Sequence, residues 1–329
     1  MEPRRIGLTA TIPVEVLFAA GYRPVDLNNL FVSHPQRSEL LRRAEAAGLP
    51  RNICSWIRGL YAVAESEKIT TVIAVVRGDC TNAEALAELW RHRGLRVIKF
   101  AYPYEPCVQD MHSAIQQLCE DLGTTIDEAE QWRERLDPVR RNLKKLDELT
   151  WSTGRVTGDE NFSWLLDSSD FQCDPDQYNK ELVNFLEKAE NRVADKNGPK
   201  LGLTGVPAAI TDLVQVAQSM GVRVVYNETP RQFSMPFQSN SLAEQYSTYT
   251  YPYPLPHRLA DIQREIQRRN LDGIIHYVQT FCFHGIEHSV LREKLDLPVL
   301  MIEGDEPGPT DERTRTRLQA FIEQLNSAG

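Results

Sequence analysis

Three features are missing from this sequence, and each absence excludes something. It has no run of about 18 apolar residues, so no membrane-spanning helix is expected. It has no excess of basic charge. The formal net charge is −9, which argues against a general nucleic-acid binder, whose surface would carry a basic face. It also has no Cys-x-x-Cys. The six cysteines, Cys54, Cys80, Cys107, Cys119, Cys173 and Cys282, are too sparse for a disulfide scaffold. Their spacing supports neither a zinc ribbon nor a local ferredoxin-type loop. In a reducing compartment they are thiols or ligands, and any metal they share would be assembled only by the fold. The opening MEPRRIGLTATIPVEVLF lacks the basic start, long apolar stretch and small-residue cleavage site of a signal peptide, so a cytoplasmic location is expected.

What is present is a soluble globular composition, 41% hydrophobic and 25% charged, over 329 residues. That is long enough for two domains, with a core that needs no staples. Short β-branched runs alternate with amphipathic stretches, the pattern of α/β units with parallel strands. KITTVIAVV reads as a buried strand, NAEALAELWRHRG as a helix stopped at Gly94, and LRVIKF as the next strand. Late in the chain the order recurs: DGIIHYVQ is a strand, IEHSVLREKL a helix and LPVLMIEG a strand.

The recurrence keeps a register. Leu95 opens a strand fifteen residues after Cys80, and Leu297 opens one fifteen residues after Cys282. IGLTATIPVEVLFAAGYRPVDL and LGLTGVPAAITDLVQVAQSMGVRVV also echo one another: Gly-Leu-Thr, a proline, a helix, a glycine and a strand. Pro13 and Pro207 suit first helical turns. Two α/β domains of similar topology are therefore expected, over 1–105 and 198–329. Residues 106–197 are charged and helix-periodic and read as a helical insert, with Pro138 as a break. ADKNGPK is a hinge candidate.

In open α/β sheets, ligands bind beyond the carboxyl ends of the strands. Cys80 and Cys282 lie at such ends in equivalent places, and facing domains would bring them into one cleft. Cys54, in LPRNICSWIRGL, opens a helix, where free N–H groups and the dipole favour thiolate. Three thiolates suit a soft metal or an iron–sulfur cluster. The competing reading is three inert core thiols, since free cysteine is among the most buried residue types. Cys107, Cys119 and Cys173 read as structural or surface thiols.

TIPVEVLFAAGYRPVDL, NICSWIRGLYAV, GDCTNAEALAELW, DGIIHYVQTFC and LPVLMIEGDEPGPTDERTRTRLQAFIEQL occur in this order. Together they resemble the 2-hydroxyacyl-CoA dehydratase D-component family, which also includes benzoyl-CoA reductase subunits and double-cubane cluster reductases. The resemblance spans nearly the whole chain and is weakest in the insert. It implies two Rossmann-like domains with parallel sheets. It also implies one [4Fe–4S] cluster in the interdomain cleft, held by Cys54, Cys80 and Cys282, with the fourth iron open. An open iron can act as a Lewis acid while the cluster delivers one electron, for radical dehydration or low-potential reduction. An ATP-dependent iron–sulfur activator protein is the implied partner. Pairing with a second copy or a related subunit is implied too. The implied substrate is a small molecule, a CoA ester among the candidates. Ala10, Asn28 and Asn227 stand where double-cubane members carry extra cysteines, which speaks against an eight-iron cluster. The alternative is an electron-transfer or accessory cluster-bearing subunit without its own substrate.

Other residues join these with two readings each. Glu15, where the family pattern has a glutamate, is either a proton donor or hydroxyl-positioning group, or a first-turn acid favoured by the helix dipole. Ser55 is either a partner of cluster or substrate atoms or a helix-capping residue. In YNETPRQFSMP, Arg231 and Gln232 are substrate-binding candidates, or members of a polar network with Glu228. His284 is a proton carrier or a neighbour of the cluster ligands. His288 reads as a helix-face residue and His276 as a satisfied buried histidine. STYTYPYPLPHRL reads as an ordered loop without chemistry of its own.

Overall fold

Each β-branched run becomes a strand. In the computed structural model, which describes residues 4–328, these are β1 (Arg4–Leu8), β2 (Tyr22–Asp26), β3 (Thr71–Arg77), β4 (Arg96–Ala101), β5 (Lys200–Gly205), β6 (Arg223–Asn227), β7 (Gly273–Gln279) and β8 (Val299–Gly304). They form two four-stranded sheets, β2-β1-β3-β4 and β6-β5-β7-β8, with every pairing parallel. A parallel strand covered on both faces has no polar side, so it reads as a continuous apolar run. β7 shows this directly, because all of its residues are buried.

The chain divides into two compact units. One comprises Met1–Arg141, Asp167–Asn179 and Met235–Pro254. The other comprises Asn142–Leu166, Lys180–Ser234 and Leu255–Gly329. Each holds one sheet. Within each, a helix links the first two strands (Val14–Ala19, Leu213–Ser219) and another links the last two (Thr81–His92, His284–Lys294). Between β4 and β5 the chain is helical, with Val108–Leu122, Ile126–Glu148, Gly158–Asp167 and Pro175–Glu190 as its main helices.

Pro138 does not break its helix as expected. It lies inside Ile126–Glu148. The reason is exposure: Pro138 and Glu134 both face solvent, so water can bond the carbonyl that loses its helical donor.

Helix Ser55–Ser66 buries Ile57, Leu60, Tyr61 and Val63 on the first sheet's core, beside Phe31 and Trp90. A β-carbon at Gly59 would lie 2.4 Å from the Phe31 ring. Only glycine lets this helix approach so closely, and the approach sets where its N-terminus falls.

A pair of buried acids braces the carboxyl end of β2. Asp26 caps helix Leu27–Ser33 through Asn28 N–H at 2.9 Å and accepts the Ser169 hydroxyl at 2.6 Å. Its own N–H donates to Asp170 Oδ2 at 2.7 Å. Burial, and then repulsion from Asp26, push the Asp170 carboxyl from 3.8 up to about 8. The folded chain then keeps a proton that the unfolded chain has already released across this range. That stabilising contribution is complete below the unfolded value and is lost as pH rises towards about 8. The Asp170→Asn variant, which keeps one acceptor oxygen and cannot ionise, should show a flatter dependence of urea midpoint on pH and be the more stable protein at alkaline pH. Parallel curves for the two proteins would refute this.

Candidate functional site

Parallel pairing places the carboxyl ends of four strands on one edge of each sheet. In the order β2-β1-β3-β4 the connections leave β1 and β3 in opposite directions, so the switch point lies between them; in the second sheet it lies between β5 and β7. Cys80 lies three residues beyond the end of β3, and Cys282 three residues beyond the end of β7. The two cysteines thus take the same step beyond equivalent strands.

Cys80 is the N-cap of helix Thr81–His92, and Cys54 is the N-cap of helix Ser55–Ser66. Both thiols are half-buried and pack on the same apolar cluster of the first unit. Cys80 N–H donates to Asp79 Oδ1 at 2.7 Å, and burial pushes the Asp79 carboxyl up to about 6. Cys282, also half-buried, belongs to the second unit. Its N–H bonds Gln279 O at 2.9 Å and its carbonyl accepts Gly285 N–H at 3.1 Å, a tight turn ahead of helix His284–Lys294. The preceding Phe281 takes a left-handed φ of 65°, a strained choice for a residue with a β-carbon. Among the described residues no three His, Cys, Asp or Glu side chains form a group that could hold a metal ion. The donor chemistry nevertheless fits an iron–sulfur cluster: half-buried thiols, each at or just before a helix N-terminus.

Glu15 is wholly buried. Its carboxylate accepts Arg140 Nη2 at 2.5 Å, Gln245 Nε2 at 2.9 Å and Tyr246 OH at 2.9 Å. Tyr246 OH also reaches Ile12 O at 2.9 Å, and Tyr102 OH donates to Thr11 O at 2.8 Å. The phenols and Glu15 together hold the loop between β1 and helix Val14–Ala19. Tyr249 and Tyr253, of the segment expected to lack chemistry, are buried against Tyr102. Ser55 is buried at the start of its helix.

In the second unit Arg231 and Gln232 are buried in helix Glu228–Phe233. Both donate to Asp261 Oδ2, at 2.9 and 2.8 Å, and Arg231 also reaches Glu265 at 3.2 Å. Arg269 continues this network, with a fork onto Asp147 at 2.9 and 2.6 Å and a bond to Glu265 at 2.6 Å.

His284 is buried with Nδ1 at 2.8 Å from Glu287 Oε2. The same Nδ1 lies 3.1 Å from Arg258 Nη1, so this nitrogen stands between a carboxylate, which only accepts, and a guanidinium, which only donates. Burial alone would raise the Glu287 carboxyl, but the His284 bond and the Arg258 charge outweigh it and hold it low. His276 is fully buried, and burial followed by the Arg258 charge lowers its pKa to about 3. Its Nδ1 lies 3.4 Å from His288 Nδ1, with the two rings stacked. Its Nε2 has no hydrogen-bond partner among the described residues, so the expectation of a satisfied buried histidine holds at one nitrogen only.

Sequence reasoning missed Arg140, Gln245, Tyr246, Arg258 and Glu287. A signal existed for one set. Arg258, Asp261, Glu265 and Arg269 recur at helical spacing in LPHRLADIQREIQRR, and all four are buried.

The fold and site define a class: paired Rossmann-like units of matching strand order, each with a half-buried thiol beyond its third strand. The model of the family described as 2-hydroxyglutaryl-CoA dehydratase, D-component, matches residues 9–325, and the chain belongs to that family. No curated protein matches the chain. Membership supports a dehydratase-like enzyme subunit that works with another component. No helix among the described residues is long and apolar enough to cross a membrane.

The buried Glu15 cluster gives a direct test. Arg140→Met strands a buried carboxylate and should cost about 3–5 kcal/mol in urea unfolding, with partial recovery on adding Glu15→Gln. An unchanged midpoint for Arg140→Met would show that the ion pair does not hold this loop.

Proposed function

We propose that the chain is a dehydratase-like or low-potential reductase subunit in which Cys54, Cys80 and Cys282 bind one [4Fe–4S] cluster and leave one iron open. The observation that carries this reading is the half-buried thiol three residues beyond the third strand of each sheet, in a chain of the dehydratase D-component family. Such a cluster, when bound, supplies a low-potential electron and a Lewis-acidic iron.

The chain's own residues would do the rest. The first turns of helices Ser55–Ser66 and Thr81–His92 present N–H groups towards negative charge gathered at the thiols. Ser55, buried next to Cys54, orients that turn. Asp79 fixes the backbone of Cys80 through its N–H. His284, held beside Glu287 and Arg258, would serve proton transfer near the Cys282 turn. Glu15 acts by setting the loop after β1. Arg231 and Gln232 act through Asp261, fixing the helix that follows β6. An ATP-dependent iron–sulfur activator protein is the proposed electron donor. A second copy or related subunit completes the assembly, and the substrate is a small molecule, with CoA esters the first class to try.

Chain prepared without oxygen should be brown and hold about four irons and four sulfides. Cys54→Ser, Cys80→Ser and Cys282→Ser should each lose most of that iron while keeping the circular dichroism of the parent. Iron-free, colourless parent protein would sink the reading, as would three folded serine variants with undiminished iron.

A further inference from the structure

We propose that Arg258 is the positioning residue of the Cys282 turn, through a buried guanidinium that ties together the carboxyl ends of β5, β6 and β7 around the second sheet's switch point. The proposal takes its functional meaning from the reading of Cys282 as a ligand, but its structural content stands apart from iron.

Arg258 lies in the first turn of helix Leu255–Arg269 and is 1% exposed. Its Nε and Nη2 grip the two oxygens of Glu228 at 2.8 and 3.1 Å. Glu228 opens the helix that follows β6, and its Oε2 also accepts the N–H of Gly205, the last residue of β5, at 2.9 Å. The remaining nitrogen, Nη1, reaches Glu287 Oε2 at 2.6 Å and lies 3.1 Å from His284 Nδ1, both in the first turn of the helix that follows β7. One cation thus connects the carboxyl ends of β5, β6 and β7. Cys282 ends the turn that its N–H closes on Gln279 and lies two residues before the anchored His284.

The chemistry requires arginine. Its rigid fork meets Glu228 with two nitrogens and still directs a third at Glu287, whereas a lysine ammonium is a single point. Glu228 and Glu287 are both largely buried and would repel each other without the cation between them. Losing it frees the start of helix His284–Lys294 and with it the direction of the Cys282 side chain. The damage should stay local, because the rest of the unit's polar interior rests on the separate Arg231, Arg269, Asp147, Asp261 and Glu265 network.

The test is hydrogen–deuterium exchange, read by mass spectrometry, on the full chain prepared without oxygen and without added iron. Arg258→Lys and Glu287→Gln are compared with the parent, and iron uptake is measured in parallel. Glu287→Gln keeps the Arg258–Glu228 fork, so it decides the matter if Arg258→Lys fails to fold. Peptides spanning 277–290 should exchange about tenfold faster in the variants, while peptides from helices Ser55–Ser66 and Thr81–His92 stay at the parental rate. Iron uptake should fall in step. Unaltered exchange over 277–290 in a folded variant overturns the proposal, and so does an equal rise throughout the chain. Iron-free parent protein with the expected local exchange would remove the cluster reading and leave Arg258 as the organiser of this turn. Normal parental iron with unaltered exchange would do the reverse.

Discussion

Parallel pairing imposes one condition on which the rest of this protein depends: all strands of a sheet end on the same edge. Four carboxyl ends gathered on one edge, with connections diverging at a switch point, create a place where loops meet without crossing. The first sheet puts Cys80 there, and the second puts Cys282 at the matching position. Helix Ser55–Ser66 adds Cys54 to the first, through a close approach that a glycine permits. Chemistry in such a fold is set less by any single motif than by which residues the edge collects.

Those edges are braced by buried charge rather than by apolar packing alone. Arg140 sits on Glu15, and Arg258 on Glu228 and Glu287. Each arginine is nearly or wholly buried and supplies several directed bonds. A buried ion pair is poor value as pure stabilisation, because desolvation consumes most of the attraction. Its directional bonds do fix loop geometry, which apolar contacts do only loosely. Polar bracing behind strand-end loops is therefore what a site that must hold ligands at set positions requires.

Much of this architecture was legible beforehand. KITTVIAVV and DGIIHYVQ are the central strands β3 and β7, because a buried parallel strand leaves an uninterrupted apolar run. The equal spacing after Cys80 and Cys282 is kept to within one residue, the next strands opening at Arg96 and Val299. The helix at Cys54 was readable from its amphipathic pattern. Other features were not readable, for physical reasons. Pro138 looked like a break because sequence does not show which face of a helix meets solvent. The two units exchange segments at residues 141, 167, 179, 235 and 254, and such interleaving follows from tertiary contacts that leave no local pattern. The partners of Glu15 lie 125, 230 and 231 residues away, beyond any periodicity. The stripe from Arg258 to Arg269 was visible but has two meanings, since charge at helical spacing fits a solvated face and a buried network alike.

The three-residue step from strand end to cysteine has a consequence of its own. Adjacent Cα atoms are about 3.8 Å apart, and a metal–thiolate bond is about 2.3 Å long. Inserting one residue into either step would carry the thiol farther than the length of the bond that the proposed cluster would require. These two loops act as rulers. Their side chains can vary a good deal, but their length is fixed, and insertions or deletions in related chains should accumulate everywhere except there.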